Sequence, residues 1–255
     1  MITSKTNAKL KNIRKLLDSN KARKEQGLFV VEGIKMTNEI PSSFNCQVYM
    51  SESFYKENKN LNYKNIEIVS DDVFKSVSDT VTPQGILALV SIDDLRRAKD
   101  LKNQKESAKE KQSVLILDGI SDPGNLGTMI RTAEAAGVRA IYLSRNSADL
   151  YNPKTIRSTM GSIFRVPVYT CELGEKINEL KEEGFSIYAA ALDGAQFFNE
   201  IKYALKNAIV IGNEANGISK EVLELADKKI KIPMEGEVES LNAAISAAVL
   251  MYHVK

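Results

Sequence analysis

The chain has 255 residues, 43% of them hydrophobic and 27% charged, a composition that excludes disorder over most of its length. This length is enough for one or two domains with a buried core. The two cysteines and the single histidine argue against a disulfide framework, a metal site and histidine-based catalysis. Because neither a membrane-spanning apolar run nor a signal peptide is found, we expect a cytoplasmic protein with no membrane association.

The net charge of +2 is distributed unevenly along the chain. Residues 1–35 carry nine basic and three acidic groups, whereas the rest of the chain carries 26 basic and 30 acidic groups. Leucine and isoleucine recur at helical spacing over residues 10–17, which places basic side chains on the other face of a helix. A cationic face is typical of a protein that binds a polyanion, and a merely solvated lysine-rich helix is the alternative. The candidate contacts on this face are Lys9, Lys11, Arg14 and Lys15.

The N-terminal part is predicted to be a small α/β unit. Strand-like runs lie at 29–33, 48–51, 66–70 and 86–90. Short helices are predicted at 35–40 and up to about residue 77, the second capped by Asp71 or Asp72. The charged stretch 96–112 has Leu101 as its only long aliphatic residue, which indicates a solvated helix or linker. The sequence therefore predicts one domain at 1–95, a linker at 96–112 and a second domain at 113–255.

The C-terminal part alternates strands and helices more regularly. Strand-like runs without polar alternation lie at 114–118, 140–144, 164–169, 186–192, 208–212 and 230–233. Helices are predicted through Glu134, over 172–183, after Ser219 and after Ser240. Buried strands that alternate with helices are typical of a doubly wound α/β domain with a parallel sheet.

Three loops at predicted strand ends have an unusual composition, with glycine, asparagine and acidic residues at 122–127, 212–217 and 233–242. In an open α/β sheet, ligands bind at the carboxyl ends of the strands. Glycines at these points allow the backbone to approach a ligand closely. The G-x-G-x-x-G and P-loop patterns are absent from the sequence, which argues against dinucleotide-binding, kinase and NTPase sites.

The loops contain N-x-G-x-x-x-R-T from Asn125, I-G-N-E-x-x-G from Ile211 and I-P-M-x-G-x-x-x-S-L-N from Ile232. In order and spacing these resemble the three motifs of the SpoU/TrmH family, the SPOUT-class RNA 2′-O-ribose methyltransferases that use S-adenosylmethionine. The resemblance spans nearly all of 114–255. Less specifically, the stretches 29–33 and 77–90 resemble the family's N-terminal substrate-binding domain, which has a ribosomal-protein-like RNA-binding fold.

The resemblance implies a C-terminal SPOUT-type parallel sheet with a deep trefoil knot, and a smaller N-terminal α/β RNA-binding domain. It also implies that S-adenosylmethionine is the cofactor, that no metal is needed, and that RNA is the polyanion contacted by the basic helix. Family members are dimers, so a homodimer through the C-terminal domain is expected. The last predicted helix is apolar nearly all round, which indicates burial in a core or against a partner.

By this resemblance, the cofactor pocket is lined by Leu192, Gly194, Gly212, Ile232, Met234, Leu241 and Ala243. The implied catalytic set is Asn125, Arg131, Glu214, Ser240 and Asn242. A ribose hydroxyl is a poor nucleophile, and a guanidinium rarely gives up its proton. Arg131 could therefore pass a proton with help from a substrate phosphate, or stabilise the developing alkoxide. Structural roles also remain open for Glu214, beside a helix N-terminus, and for Ser240, as a helix cap.

The two-domain layout, with the RNA-binding domain first, is more similar to the rRNA-directed branch of the family, so 23S rRNA is the favoured substrate. The alternatives are a tRNA 2′-O-ribose methyltransferase, an antibiotic-resistance rRNA methyltransferase of the same layout, and a non-catalytic RNA-binding or ribosome-assembly protein. The complete catalytic set favours an enzyme. The target nucleotide does not follow from these residues, because RNA specificity depends on shape and unstacked bases.

Overall fold

The computed structural model describes residues 1–61, 63–106 and 110–254, with only the backbone described at 102–106. Residues 107–109 of the predicted linker thus lie outside the described residues. Within the described part, the strands form two sheets, one in each half of the chain. No helix there is both long enough and apolar enough to cross a membrane.

The N-terminal half forms a small mixed α/β unit, as the sequence predicts. Its elements are α1 (Ala8–Asp18), α2 (Asn20–Gln26), β1 (Leu28–Glu32), α3 (Ile34–Asn38), β2 (Gln47–Ser51), α4 (Glu52–Glu57), β3 (Ile66–Val69), α5 (Asp71–Lys75), β4 (Ile86–Ser91) and α6 (Ile92–Glu106). The strand order is β1-β4-β2-β3, with β4 antiparallel to both neighbours and β2 parallel to β3. Helix α1 buries Leu10, Ile13 and Leu16 in the core beside this sheet, which leaves its basic face outward.

The C-terminal half forms a parallel α/β sheet, in agreement with the predicted fold class. Its elements are β5 (Gln112–Leu117), α7 (Pro123–Ala136), β6 (Ala140–Ser144), α8 (Pro153–Thr159), β7 (Val168–Cys171), α9 (Leu173–Glu182), β8 (Ser186–Ala190), β9 (Gln196–Phe197), β10 (Lys206–Ile211), α10 (Lys220–Glu224), β11 (Lys228–Lys231) and α11 (Ala243–His253). The order among the described strands is β7-β6-β5-β10-β8-β11-β9, and each pairing is parallel. The carboxyl ends of these strands therefore lie along one edge of the sheet.

Two predicted helix starts are wrong. Helix α5 begins after Ser70 rather than after Asp71 or Asp72, and the Asp71 carboxylate instead accepts hydrogen bonds from the backbone and hydroxyl of Ser53. Helix α11 begins after Asn242 and not after Ser240. The Asn242 side chain caps it by accepting from the Ala244 amide at 2.9 Å, which satisfies a free N–H of the first turn.

The predicted strand at 164–169 is shorter and later than expected. Residues Ser162–Phe164 form a 3-10 turn, and β7 starts at Val168. Pro167 explains this start, because it has no N–H to donate to the sheet ladder. Helix α8 and the two-residue strand β9 lie outside the predicted elements.

Helix α6 crosses the boundary predicted between the two domains. Its first turns bury Ile92 and Leu95, whereas Leu101 is 63% exposed, as expected for a solvated helix. Lys99 is only 3% exposed, which the charged composition of this stretch did not suggest. The two halves share one hydrophobic core, in which the Phe29 ring packs 5.1 Å from that of Tyr151.

Candidate active site

A cleft of about 800 Å³ opens at the carboxyl ends of β10, β8 and β11. Its walls come from the ends of these strands, from the loop at 213–217 and from the segment that leads into α11. Six of the predicted cofactor residues line it, namely Leu192, Gly212, Ile232, Met234, Leu241 and Ala243. Gly194 is not among its lining residues and lies in an exposed turn with a φ of 66°. The cleft thus combines apolar side chains with exposed backbone.

Gly212 lies in the cleft wall directly against the backbone of Gly217 and Ile218. A Cβ atom at this position would lie 2.2 Å from the carbonyl carbon of Gly217, so no side chain fits. Asn213 and Gly217 exchange backbone hydrogen bonds of 2.9 and 3.0 Å. The Asn213 side chain also accepts from the amides of Ala215 and Asn216, each at 2.9 Å. These bonds fix the loop across the end of β10.

The carboxylate of Glu214 lies at the mouth of the cleft and accepts several hydrogen bonds. One oxygen accepts from the side-chain amide of Asn125 at 2.9 Å. The other oxygen accepts from the Ser121 hydroxyl at 2.8 Å and from the Ser121 backbone amide at 3.1 Å. Partial burial alone would raise the pKa of Glu214, but these hydrogen bonds together lower it to about 2. Glu214 is therefore an anion at neutral pH.

Asn242 connects the third motif loop to this cluster. Its amide donates to the Asn125 side-chain oxygen at 3.2 Å, while its own oxygen caps α11. Ser240 lies beside it in the cleft wall. The fold thus brings Asn125, Glu214, Ser240 and Asn242 from three separate loops to the cleft and its mouth.

Arg131 is not part of this cluster. It lies six residues after Asn125 on α7, about 9 Å farther along the helix axis. Its side chain is exposed, and no described residue forms a hydrogen bond or ion pair with it. A guanidinium without a protein partner remains available for a phosphate or a developing alkoxide.

Ser121 and Lys154 belong to the site but were not among the predicted residues. Ser121 holds Glu214 and lies one residue before the predicted first loop. Asp122 caps α7 by accepting a 2.8 Å hydrogen bond from the backbone amide of Asn125. The same carboxylate forms a 2.7 Å ion pair with Lys154. The hydrogen bond from Lys154 lowers the pKa of Asp122 below its usual range. Ser121 could have been predicted from its position shortly after the buried strand β5.

The four predicted RNA contacts on α1 divide into two pairs. Lys9 forms a 2.6 Å ion pair with Glu67, and Arg14 donates to the carbonyl and hydroxyl oxygens of Ser76 at 3.0 and 2.8 Å. Lys11 and Lys15 are exposed, and neither has a partner among the described side chains. Two of the four cations are therefore free to meet a polyanion.

The chain matches the SpoU rRNA Methylase family over residues 112–252 and the MRM3-like substrate binding domain over 7–88. The 23S rRNA (guanosine(2553)-2′-O)-methyltransferase RlmP of Bacillus subtilis is 35% identical over all of this chain and 98% of its own length.

Two solved structures share the fold over nearly the whole chain. An AdoMet-bound rRNA methyltransferase from Sinorhizobium meliloti has a TM-score of 0.84 at 26% identity, covering 99% of this chain and 96% of its own. The SpoU methyltransferase AviRb from Streptomyces viridochromogenes, in complex with AdoMet, shares the fold with a TM-score of 0.84 at 23% identity, covering 97% of both chains. The chain therefore belongs to the SpoU family of S-adenosylmethionine-dependent RNA methyltransferases.

Proposed function

We propose that this protein transfers the methyl group of S-adenosylmethionine to a ribose 2′-hydroxyl of 23S rRNA. The observation that carries this proposal is the hydrogen-bonded cluster of Asn125, Glu214 and Asn242 at the mouth of the cleft. Similarity over the full chain to RlmP supports rRNA as the substrate class. An enzyme that modifies rRNA would act in the cytoplasm.

The cleft fits the cofactor in size and chemistry. A volume of about 800 Å³ lies within the range of small-molecule sites. Leu192, Ile232 and Leu241 offer apolar walls, and the backbone around Gly212 offers donors and acceptors for an adenine. When bound, S-adenosylmethionine supplies an electrophilic methyl group on its sulfonium sulfur.

Glu214 is proposed to position its neighbours rather than to accept the hydroxyl proton. A carboxyl with a pKa of about 2 is a weak base at neutral pH. Both of its oxygens are already occupied by Asn125 and Ser121, so its charge holds the first motif loop in place. Asn125 and Asn242 then present amide groups toward the ribose.

Arg131 is proposed to bind a phosphate of the substrate and to stabilise the alkoxide that develops on the ribose oxygen. Its exposure and lack of a described partner support this role. Charge stabilisation needs no loss of the arginine proton, which agrees with the chemistry of a guanidinium. The second role, proton transfer assisted by the same phosphate, uses the same contact.

A homodimer through the C-terminal domain is part of the proposal. Helix α11 buries one face in the core but leaves Ile245 and Tyr252 about half exposed, at 50% and 52%. Val249 lies between them at helical spacing, so the three form one apolar stripe. Sedimentation should give a dimer mass, and Ile245→Arg should shift it toward the monomer. A monomeric wild-type protein at working concentration would contradict this part.

Mapping of ribose methylation in total RNA, from cells with and without the protein, tests the substrate. We expect one 2′-O-methyl group of 23S rRNA to disappear with the protein and to return with the wild-type chain but not with Arg131→Ala. An unchanged rRNA map with a lost methyl group in tRNA would reject 23S rRNA as the substrate. No change in either RNA would support the non-catalytic alternative.

A further inference from the structure

A second cavity, of about 700 Å³, lies on the other side of β5 from the cofactor cleft. Helix α2 and the first turns of α6 form one wall, and β7 with the carboxyl end of β6 and the loop after it form the other. Both halves of the chain thus contribute to it, and the function described above uses none of its residues.

Lys99 in the wall of this cavity is a buried amine without a described hydrogen-bond partner. It is 3% exposed, and its Nζ atom has no hydrogen-bond partner among the described residues. Burial, helped by the nearby Arg96, lowers the pKa of Lys99 to about 7, and Asp100 opposes the shift only in part. An unpaired buried amine destabilises a fold, so its presence beside a cavity indicates a ligand.

The carboxylates that line the cavity already have partners. Asp149 accepts from Arg23 at 2.6 and 2.9 Å, and Asp100 accepts from the Tyr169 hydroxyl at 3.0 Å. The other two acidic residues, Glu25 and Asp93, lie within 4 Å of Lys21 and Arg96, at 3.8 and 3.6 Å. The cavity is therefore poorly suited to a cation.

The charged groups of the lining that have no described partner are cations. Lys24 on α2 is exposed and, like Lys99, has no partner among the described residues. Lys24 from α2 is suited to hold an anion such as phosphate, and so is Lys99 from α6 in its protonated form, which a nearby anion favours. The rings of Tyr151 and Tyr169 also line the cavity, and aromatic rings beside cations are typical of nucleotide sites.

The position of the cavity relates it to the cofactor cleft. Strand β6 at the cavity and strand β10 at the cleft both neighbour β5, so the nearest strand ends of the two sites lie about two strand spacings apart, roughly 10 Å, on the same edge of the sheet. An extended nucleic acid strand is long enough to reach both. We propose that the interdomain cavity binds a phosphate group through Lys24 and Lys99, and that an RNA strand with its target ribose at the cofactor cleft supplies this phosphate. The assignment of the phosphate to RNA rests on the proposed function, whereas phosphate binding itself does not.

Binding of inorganic phosphate, AMP and a short single-stranded RNA to the full chain tests the proposal by calorimetry. We compare wild type with Lys99→Met, Lys24→Met and the control Lys56→Met, which removes an exposed charge whose ion-pair partner, Glu52, does not line the cavity. We expect Lys99→Met to weaken binding of AMP and RNA about tenfold, because a charge-assisted hydrogen bond is lost. Lys24→Met should weaken both severalfold, and Lys56→Met should leave both within about twofold of wild type.

The outcomes separate the sources of the phosphate. Loss of both AMP and RNA affinity assigns the site to RNA, while loss of AMP affinity alone assigns it to a free nucleotide and rejects the RNA part. Equal binding by all four proteins, or no binding of any probe by wild type, overturns the proposal. If Lys99→Met fails to fold, the test rests on Lys24→Met, because Lys24 is exposed. Unchanged AMP and RNA affinity of Lys24→Met then overturns the proposal. Cofactor binding and methyl transfer by wild type are measured separately. Failure of the proposed function can therefore be distinguished from failure of phosphate binding in this cavity.

Discussion

The side-chain amide of Asn125 donates a 2.9 Å hydrogen bond to Glu214, which lies 89 residues later in the chain. This bond joins the first turn of α7 to the loop after β10, and Asn242 extends it at 3.2 Å to the segment before α11. The polar mouth of the cleft is thus one connected unit. A change in one of these three segments should therefore alter the positions of the other two.

Protonation of Glu214 should uncouple these loops at low pH. Because hydrogen bonding lowers its native pKa to about 2, its contribution to stability is complete above its ordinary value near 4.5 and is lost as the pH falls toward 2. The difference in unfolding free energy between wild type and Glu214→Gln should be constant from pH 7 to 5 and shrink below about pH 4.5. Urea unfolding at several pH values measures it. A difference that stays the same down to pH 3 would contradict the hydrogen-bonded cluster.

Replacement of Gly212 should damage the cofactor cleft. A Cβ atom there would collide with the backbone of Gly217, and backbone cannot rotate away as a side chain can. We expect Gly212→Ala to lose about 1–3 kcal/mol of stability, the usual cost of overpacking, and to bind S-adenosylmethionine at least tenfold more weakly. Gly236→Ala is the matched control, because nothing lies within 4 Å of a Cβ at that position. Equal cofactor affinity in the two variants would show that Gly212 does not shape the site.

Loss of Arg131 should affect turnover and not cofactor binding. Removal of a group that stabilises transition-state charge typically costs about 10²–10³ in rate, so Arg131→Ala should lose this much. Arg131→Lys keeps the charge and should recover part of the rate if the role is electrostatic. Arg97→Ala, another exposed arginine, serves as control. Near-normal turnover of Arg131→Ala with intact cofactor affinity would remove Arg131 from the mechanism.

The free lysines of α1 should contribute to RNA binding more than their paired neighbours. Each phosphate contact adds about 0.7–0.9 to the slope of log affinity against log salt, so the double change of Lys11 and Lys15 to Ala should lower that slope by about 1.4–1.8. The same change at Lys56 and Lys220, both exposed, is the control. Arg14→Ala should mainly lower stability, because Arg14 holds Ser76. An unchanged slope in the double variant would make this face a merely solvated surface.

The sequence predicted which loops come together, because the parallel topology determines this. The carboxyl ends of parallel strands lie at one edge of the sheet. The loops that follow the strands ending at Leu117, Ile211 and Lys231 therefore lie close together. Local capping was harder, because Ser240 and Asn242 are both good cap residues. Which of the two residues caps α11 depends on where the chain leaves the cleft wall.

Long-range pairing could not be predicted from local pattern. The burial of Lys99 depends on how α6 packs between the two halves, and nothing in a charged stretch signals that packing. The pairing of Lys9 with Glu67 and of Arg14 with Ser76 likewise depends on α1 lying beside β3 and α5. Charge counting alone therefore overestimates the cations that are free to bind RNA.

Methyl transfer by the purified protein tests the central claim most directly. The protein is incubated with S-adenosylmethionine labelled in its methyl group and with 23S rRNA or tRNA, and the RNA is digested to nucleosides. We expect the label in a 2′-O-methylnucleoside from 23S rRNA, appearing about 10²–10³ times more slowly when Arg131→Ala replaces wild type. Label on a base, label in tRNA alone, or no transfer by a protein that binds the cofactor would contradict the proposed function.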